Sequence, residues 1–343
     1  MKTLKLLLLG FGNAARAFAD LLLDKKDEIA EQFGYEISVV GIVTKSRGCL
    51  ENQQGIDLEK ALHHIRTTGK FDRTEKGFSQ ITSMEAARSL EYDVLVELTP
   101  LDIFSGQPAI DHIKTAFSRG KHVITANKGP VAWAFRELKE MAEEHNSLFF
   151  YETTVMDGTP VFNLVRETLK LCKVTEVEGI LNTTTNFILE ELAKGEEYDS
   201  VIAEGKRRGF IEADPAMDID GWDAAAKVAA LLNVLMDAGI TPMDIDRTGI
   251  GAVTEKQIRE AREKNNVIKL ICRGAFENGK VVASVKPVEV PITSLQATID
   301  GTSSYVSITT DLMGKVSVIE HAPEIEQTGY GILSDLVSLM KYL

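Results

Sequence analysis

Over the first 150 residues, short uninterrupted apolar runs alternate with helical patterns. Residues 4–9, 37–43, 94–98, 122–125 and 148–151 are predicted as buried strands, and 14–25, 83–90, 108–118 and 132–145 as the helices between them. Strands that are apolar at every position have both faces covered, so this half is predicted to be an α/β unit with a parallel sheet. Residues 46–80 are polar and weakly patterned and are left unassigned. The second half is patterned differently. Strands are expected at 174–181, 267–276, 280–290, 305–310 and 315–319, with helices at 185–194, 199–208, 222–238 and 255–265. Glu277-Asn-Gly279 is a hairpin signal, and Met313-Gly314 is a second turn. This is the pattern of a mixed α+β domain with an antiparallel-rich sheet. The amphipathic residues 330–343 are expected to pack back onto the first domain. The expected organisation is 1–150 plus that helix, and 151–329.

One helix stands out. From Ala224 to Met236 only Lys227 and Asn233 are polar, and a helix of that composition is normally buried. Lys227 falls on the stripe of Leu231, Val234 and Leu235, and Asp223 lies one turn earlier on the same face. A sequestered ammonium needs a carboxylate or a task, and a lysine so held suits proton transfer. The competing reading is a solvated i,i+4 ion pair.

Composition narrows the class. The 343 residues carry a net charge of −13 and no long basic run, which argues against a nucleic-acid or anionic-membrane partner and for a small-molecule one. Three cysteines, odd in number and far apart, suggest neither a disulfide framework nor a zinc site, and read as reduced thiols of a cytoplasmic protein. The opening apolar run is too short for a signal segment, and no stretch approaches the roughly 18 apolar residues of a membrane span.

Directly after the first strand comes Gly10-Phe-Gly12-Asn-Ala-Ala15-Arg16. At a first βα junction this is the dinucleotide-binding fingerprint. Gly10 permits the tight turn, Gly12 lets backbone approach a pyrophosphate, and Ala15 allows close helix–strand packing. It makes the first domain a Rossmann-type doubly wound sheet. At the end of the second strand an acidic residue would favour NAD, but Thr44-Lys-Ser-Arg47 stands there, a set suited to the 2′-phosphate of NADP, with NAD the alternative. Two further strand ends are expected to face the same crevice, one at Glu97-Leu-Thr99-Pro100 and one at Thr125-Ala-Asn127-Lys128, which ends its strand with a lysine directed toward the cofactor cleft. Glu152-Thr-Thr-Val155-Met-Asp157-Gly-Thr159 joins the halves, and its residues fit both a hard-cation loop and a simple hinge.

Taken together, these strings resemble the homoserine dehydrogenase family. The strongest are Gly179-Ile-Leu-Asn-Thr-Thr-Thr-Asn186 and the segment from Gly209 to Lys227, supported by Val96-Glu-Leu-Thr-Pro100, Thr125-Ala-Asn-Lys128 and Gly158-Thr-Pro160. The resemblance implies NAD(P)-dependent interconversion of L-aspartate 4-semialdehyde and L-homoserine by a homodimer. Carried over position by position, it makes Lys227 the proton-transfer lysine and Lys128 a second one. Asp223, Glu212 and Asp218 then bind substrate, with Thr184 lining the pocket. Phe11, Asn13, Ala14, Arg47, Thr99 and Lys128 fall at cofactor positions. Glu152, with the carbonyls of Val155, Asp157 and Thr159, falls at a sodium site. The chain departs from the family pattern at Thr183 and Asp157, where glycine is usual, and at Phe210, where tyrosine is. The Glu320–Glu326 segment replaces a glycine-rich turn. No regulatory domain is expected. The alternatives are a dehydrogenase for a related semialdehyde and a cofactor-binding sensor without catalysis.

Overall fold

The computed structural model describes residues 1–209, 211 and 214–343. They form two compact units, Met1–Pro160 with Glu324–Leu343, and Val161–Pro323. The division falls at 160/161 and 323/324 instead of the expected 150/151 and 329/330. Residues 151–160 stay with the first unit because the Glu152 amide donates to Asp335 on the C-terminal helix (2.9 Å).

The first unit is built on the strands β1 (Lys2–Leu9), β2 (Tyr35–Val43), β3 (Cys49–Glu51), β4 (Phe78–Ser79), β5 (Val94–Glu97), β6 (His122–Thr125) and β7 (Phe149–Phe150). Their order is β4-β3-β2-β1-β5-β6-β7, with β2-β1-β5-β6-β7 parallel. Successive residues of central β1 feed opposite cores, as the pleat requires. Leu6 and Leu8 pack with helices Asn13–Asp24, Leu58–Thr68 and Ile325–Met340, through Phe18, Leu62 and Ile332. Leu7 and Leu9 pack with helices Ser83–Ser89, Ala109–Ser118 and Lys128–Glu144, through Ala87, Ile113 and Leu138. All four leucines are fully buried, hence the unbroken apolar run.

Three differences from the sequence reading have local causes. The unassigned 46–80 segment holds β3 and β4, which extend the sheet antiparallel, and the Leu58–Thr68 helix capped by Asp57 on the Lys60 amide (3.0 Å). Lys128 does not end a strand. It opens the Lys128–Glu144 helix, four residues earlier than expected, because Asn127 caps the Gly129 amide and Pro130 is tolerated in a first turn. Glu320–Glu326 runs into the C-terminal helix already at Ile325, where Glu324 and Gln327 form a reciprocal cap.

The second unit holds β8 (Val174–Ile180), β9 (Asp246–Arg247), β10 (Asn266–Glu277), β11 (Lys280–Pro291), β12 (Ser304–Thr310) and β13 (Gly314–Glu320), ordered β13-β12-β8-β10-β11-β9. All pairings are antiparallel except β11 with β9. The β10–β11 hairpin turns at Asn278 and Gly279, both at positive φ. Helix Trp222–Met236 contacts β8 and β10, with Leu231 and Leu232 fully buried. Among the described residues no helix is long and apolar enough to cross a membrane.

Candidate active site

In the first unit the chain leaves β1 at Gly10, whose φ of +103° suits glycine; a methyl group there would run into the Leu98 carbonyl. Gly12 caps the Asn13–Asp24 helix with no side-chain acceptor on the first amides, and nothing lies within 4 Å of where its Cβ would be. Donors and open space therefore coincide, and these residues fit a pyrophosphate. Asn13 and Ala14 follow at the helix start, Asn13 exposed. Phe11 is buried, its ring 5.6 Å from that of Phe71, so it offers a ligand only its backbone. The Thr44 hydroxyl is engaged too, donating to the Gly48 carbonyl (2.7 Å) and accepting from the Arg47 amide (2.9 Å). Thr44 shapes the turn, and Arg47 occupies it, with Nη1 donating to the Phe11 carbonyl (3.1 Å). Arg16, to which the sequence reading gave no role, gathers here with Arg47 and Arg66. Desolvation first, and then those two guanidiniums, lower its pKa. Asp20 offsets part of this charge, pairing with Arg66 and raising the Arg16 pKa.

Further along the sheet, the Thr99 carbonyl accepts from Asn127 Nδ2 (3.0 Å), joining the segments that follow β5 and β6. The Asn127 cap sets the start of the helix that carries Lys128.

Glu152 is 2% exposed in a one-turn 3-10 helix. Met156 and Asp157 both have positive φ, and the Thr159 amide donates to the Met156 carbonyl (2.7 Å). The Asp157 carboxylate accepts from the Thr328 hydroxyl (3.2 Å), leaving its carbonyl, like those of Val155 and Thr159, as the group relevant to a cation. Asp335 and Thr328, which fasten this loop, carried no sequence signal: their partners lie more than 170 residues away. Among the described residues no group of three His, Cys, Asp or Glu side chains could hold a metal, so a cation here depends on Glu152 and backbone oxygens.

In the second unit, β8 ends at Ile180 and Asn182 caps the Thr183–Lys194 helix. Asn182 Oδ1 accepts from the Thr185 amide (2.8 Å), which turns Nδ2 toward two carboxylates, Asp218 Oδ1 at 2.7 Å and Asp223 Oδ2 at 2.9 Å. Asp223 lies in the first turn of the Trp222–Met236 helix, where the dipole favours an anion. One turn on, Lys227 Nζ donates to the Leu181 carbonyl (2.7 Å) and pairs with Asp223 (3.1 Å). Their side chains are 19% and 17% exposed, so the pair is neither the solvated surface bridge nor the fully sequestered amine the sequence allowed. Burial first, and then the Asp223 charge, push the Asp218 carboxyl above its usual range, against hydrogen bonds from Asn182 and Thr184 and the attraction of Lys227. Two carboxylates face one ammonium, and this imbalance suits a substrate that brings its own. Glu212 and Phe210 lie outside the described residues. Asn182, the bridge of the cluster, lies within the Gly179–Asn186 string but received no role from the sequence.

Comparison with known proteins agrees with this geometry. The sequence profile described as "Homoserine dehydrogenase" matches residues 160–337, and that of the "Homoserine dehydrogenase, NAD binding domain" matches residues 10–152. The chain is 35% identical to the homoserine dehydrogenase of Methanocaldococcus jannaschii, over 97% of this chain and 98% of that one. It is 33% identical to the NAD(+)-dependent homoserine dehydrogenase of Pseudomonas canavaninivorans, over 99% and 97%. Its fold superposes with a TM-score of 0.84 on a hyperthermophilic archaeal homoserine dehydrogenase in complex with NADPH, at 28% identity and covering 99% and 98% of the two chains. A glycine turn open to a dinucleotide, a lysine–carboxylate cluster and similarity along the whole chain converge, and this chain belongs to the homoserine dehydrogenase family of NAD(P)-dependent oxidoreductases.

Proposed function

We propose that Lys227 is the acid in the interconversion of L-aspartate 4-semialdehyde and L-homoserine, and that this step serves threonine, methionine and isoleucine biosynthesis. The cluster of Lys227, Asp223, Asn182 and Asp218 carries the reading. The cofactor, when bound, supplies or takes the hydride at the carbonyl carbon. Lys227 donates a hydrogen bond, and then a proton, to the carbonyl oxygen as it gains negative charge. In the reverse direction the neutral amine takes the hydroxyl proton. Asp218 and Glu212 bind the substrate ammonium, with Asp223 and Thr184 beside them. Lys128 is the second candidate lysine, carried by the first unit.

The test is the appearance of reduced-nicotinamide absorbance when homoserine is added with NADP or NAD. Turnover of a different amino-acid alcohol but not homoserine would favour the related-dehydrogenase alternative; cofactor binding without turnover would favour the sensor.

The raised pKa of Asp218 gives a pH prediction. The group is ionised only above a pH higher than a normal carboxylate requires, so it loses its charge early as pH falls. The KM for homoserine should therefore rise on the acid side sooner than an ordinary aspartate would make it. Asp218→Asn should raise KM where the wild-type carboxylate is ionised and abolish that limb, the two enzymes converging as pH falls. A KM flat down to the ordinary carboxylate range would exclude Asp218 from ammonium binding.

For the cofactor we favour NADP, with Gly10, Gly12, Asn13 and Ala14 at the pyrophosphate and Arg47 at the 2′-phosphate. The support is Arg47, held beside the glycine loop by its bond to the Phe11 carbonyl, and the names of relatives point to both cofactors. Arg47→Ala should weaken NADP by roughly 10–100-fold, the worth of one charge-assisted contact. NAD should change by less than about 3-fold if the arginine meets only that phosphate. Equal losses for both, in fluorescence titrations, would reject the assignment. Sodium at Glu152 with the carbonyls of Val155, Asp157 and Thr159, cytoplasmic residence and a homodimer complete the proposal. The dimer is supported by Val282, Val288 and Ile292, exposed apolar side chains on or just after β11.

A further inference from the structure

The last residue of β5, Glu97, is a carboxylate with no exposure to water, and the reaction gives it no task. Its Oε2 lies 2.7 Å from Nδ1 of His112, equally buried on the Ala109–Ser118 helix. Nε2 of His112 lies 2.8 Å from the hydroxyl of Ser83, at the start of the Ser83–Ser89 helix. The other carboxylate oxygen accepts from the Thr99 amide (2.8 Å) and from the Thr99 hydroxyl. The Thr99 carbonyl in turn accepts from Asn127 Nδ2, and Asn127 Oδ1 caps the helix that Lys128 opens. One connected set of hydrogen bonds therefore runs from two outer helices, through a buried carboxylate, to the residues after β5 and β6.

Keeping ionisable groups out of water is costly, and apolar side chains of the same volume commonly serve stability as well or better. What apolar residues cannot do is fix the direction of a peptide group. Every oxygen of Glu97 is engaged, so the carboxylate has one orientation, and it passes that orientation to Thr99. We propose that Ser83, His112 and Glu97 are positioning residues that hold Thr99 and Lys128 in register for the reacting end of the cofactor. The proposal rests on the reading of Lys128 and Thr99 as cofactor-end groups, and its test must separate the two.

Four variants suffice: Lys128→Ala, His112→Leu, His112→Asn and Glu97→Met, which is close to glutamate in volume. For each, kcat and the cofactor KM are measured beside the Kd of ADP-ribose, which has the adenine half and the pyrophosphate but no nicotinamide. His112→Leu should lower kcat by about 10-fold or more and raise the cofactor KM, as small misplacements do. ADP-ribose binding should stay within about 2-fold, since the glycine loop lies outside this hydrogen-bond set. His112→Asn, whose amide returns an N–H near the Nδ1 position, should recover most of kcat. A parallel loss of ADP-ribose binding would mean a general loss of structure and overturn the proposal; so would wild-type kcat in His112→Leu. If His112→Leu does not fold, Glu97→Met takes the same measurements, since its thioether cannot hold Thr99 and His112, and wild-type kcat there is equally fatal. Unchanged turnover in Lys128→Ala would remove the underlying reading and this inference with it. A defective Lys128→Ala beside a normal His112→Leu would remove only the inference.

Discussion

Lys227→Ala is expected to lower kcat by ~10²–10⁴ while cofactor affinity stays near wild type, the range lost when a positioned general acid is deleted. The amine is fixed from two sides, by the Leu181 carbonyl and by Asp223, and Asp223 is itself held by Asn182. Among the described residues of this cluster the others are two carboxylates, the Asn182 amide and the Thr184 hydroxyl, none of them a cationic donor. Lys227→Arg should not restore turnover. A guanidinium retains charge but does not release a proton near neutral pH, and its planar fork does not fit a site shaped around a point donor. Stability should move by only about 1 kcal/mol, since both partners keep some contact with water and Asp223 retains the Asn182 amide. Steady-state rates beside a fluorescence titration of the cofactor decide the matter. A variant that turns over normally would remove Lys227 from the chemistry.

The second large effect separates two glycines that a motif search treats alike. Gly10→Ala should destabilise the protein by about 2–4 kcal/mol, combining a strained positive φ with a clash against the Leu98 carbonyl that backbone cannot relieve. Gly12→Ala should leave the melting temperature within about 1 °C, because φ is −78° and nothing occupies the space around it. Its cost falls on the ligand, and the cofactor Kd should rise roughly 10-fold or more as the methyl takes the place of the pyrophosphate. Thermal melts and cofactor titrations of the two variants would show opposite patterns. If Gly12→Ala bound cofactor normally, the dinucleotide would have to lie elsewhere.

Much of this was open to the sequence because its signals are local. The β1 leucines, the helix patterns and the glycine turn each act within a few residues, and Asp223 and Lys227 are one helical turn apart. For Phe11 the motif does not say which atoms face a cofactor: its ring packs on Phe71, which leaves its backbone beside the glycines. Thr44 is similar, its hydroxyl spent on the turn that presents Arg47. Lys128, expected at a strand end, instead opens a helix, whose first turn tolerates Gly129 and Pro130.

By itself, then, the chain determined the alternating architecture, the dinucleotide turn and the lysine with its carboxylate, since period, turn conformation and i,i+4 spacing are properties of neighbouring residues. Tertiary structure alone decided which distant groups meet: Asn182 between Asp218 and Asp223, Asp335 on Glu152, and His112 on Glu97. Those bonds span 15 to 183 residues. A buried polar group must find a partner wherever the fold brings one, and no periodicity along the chain records that choice.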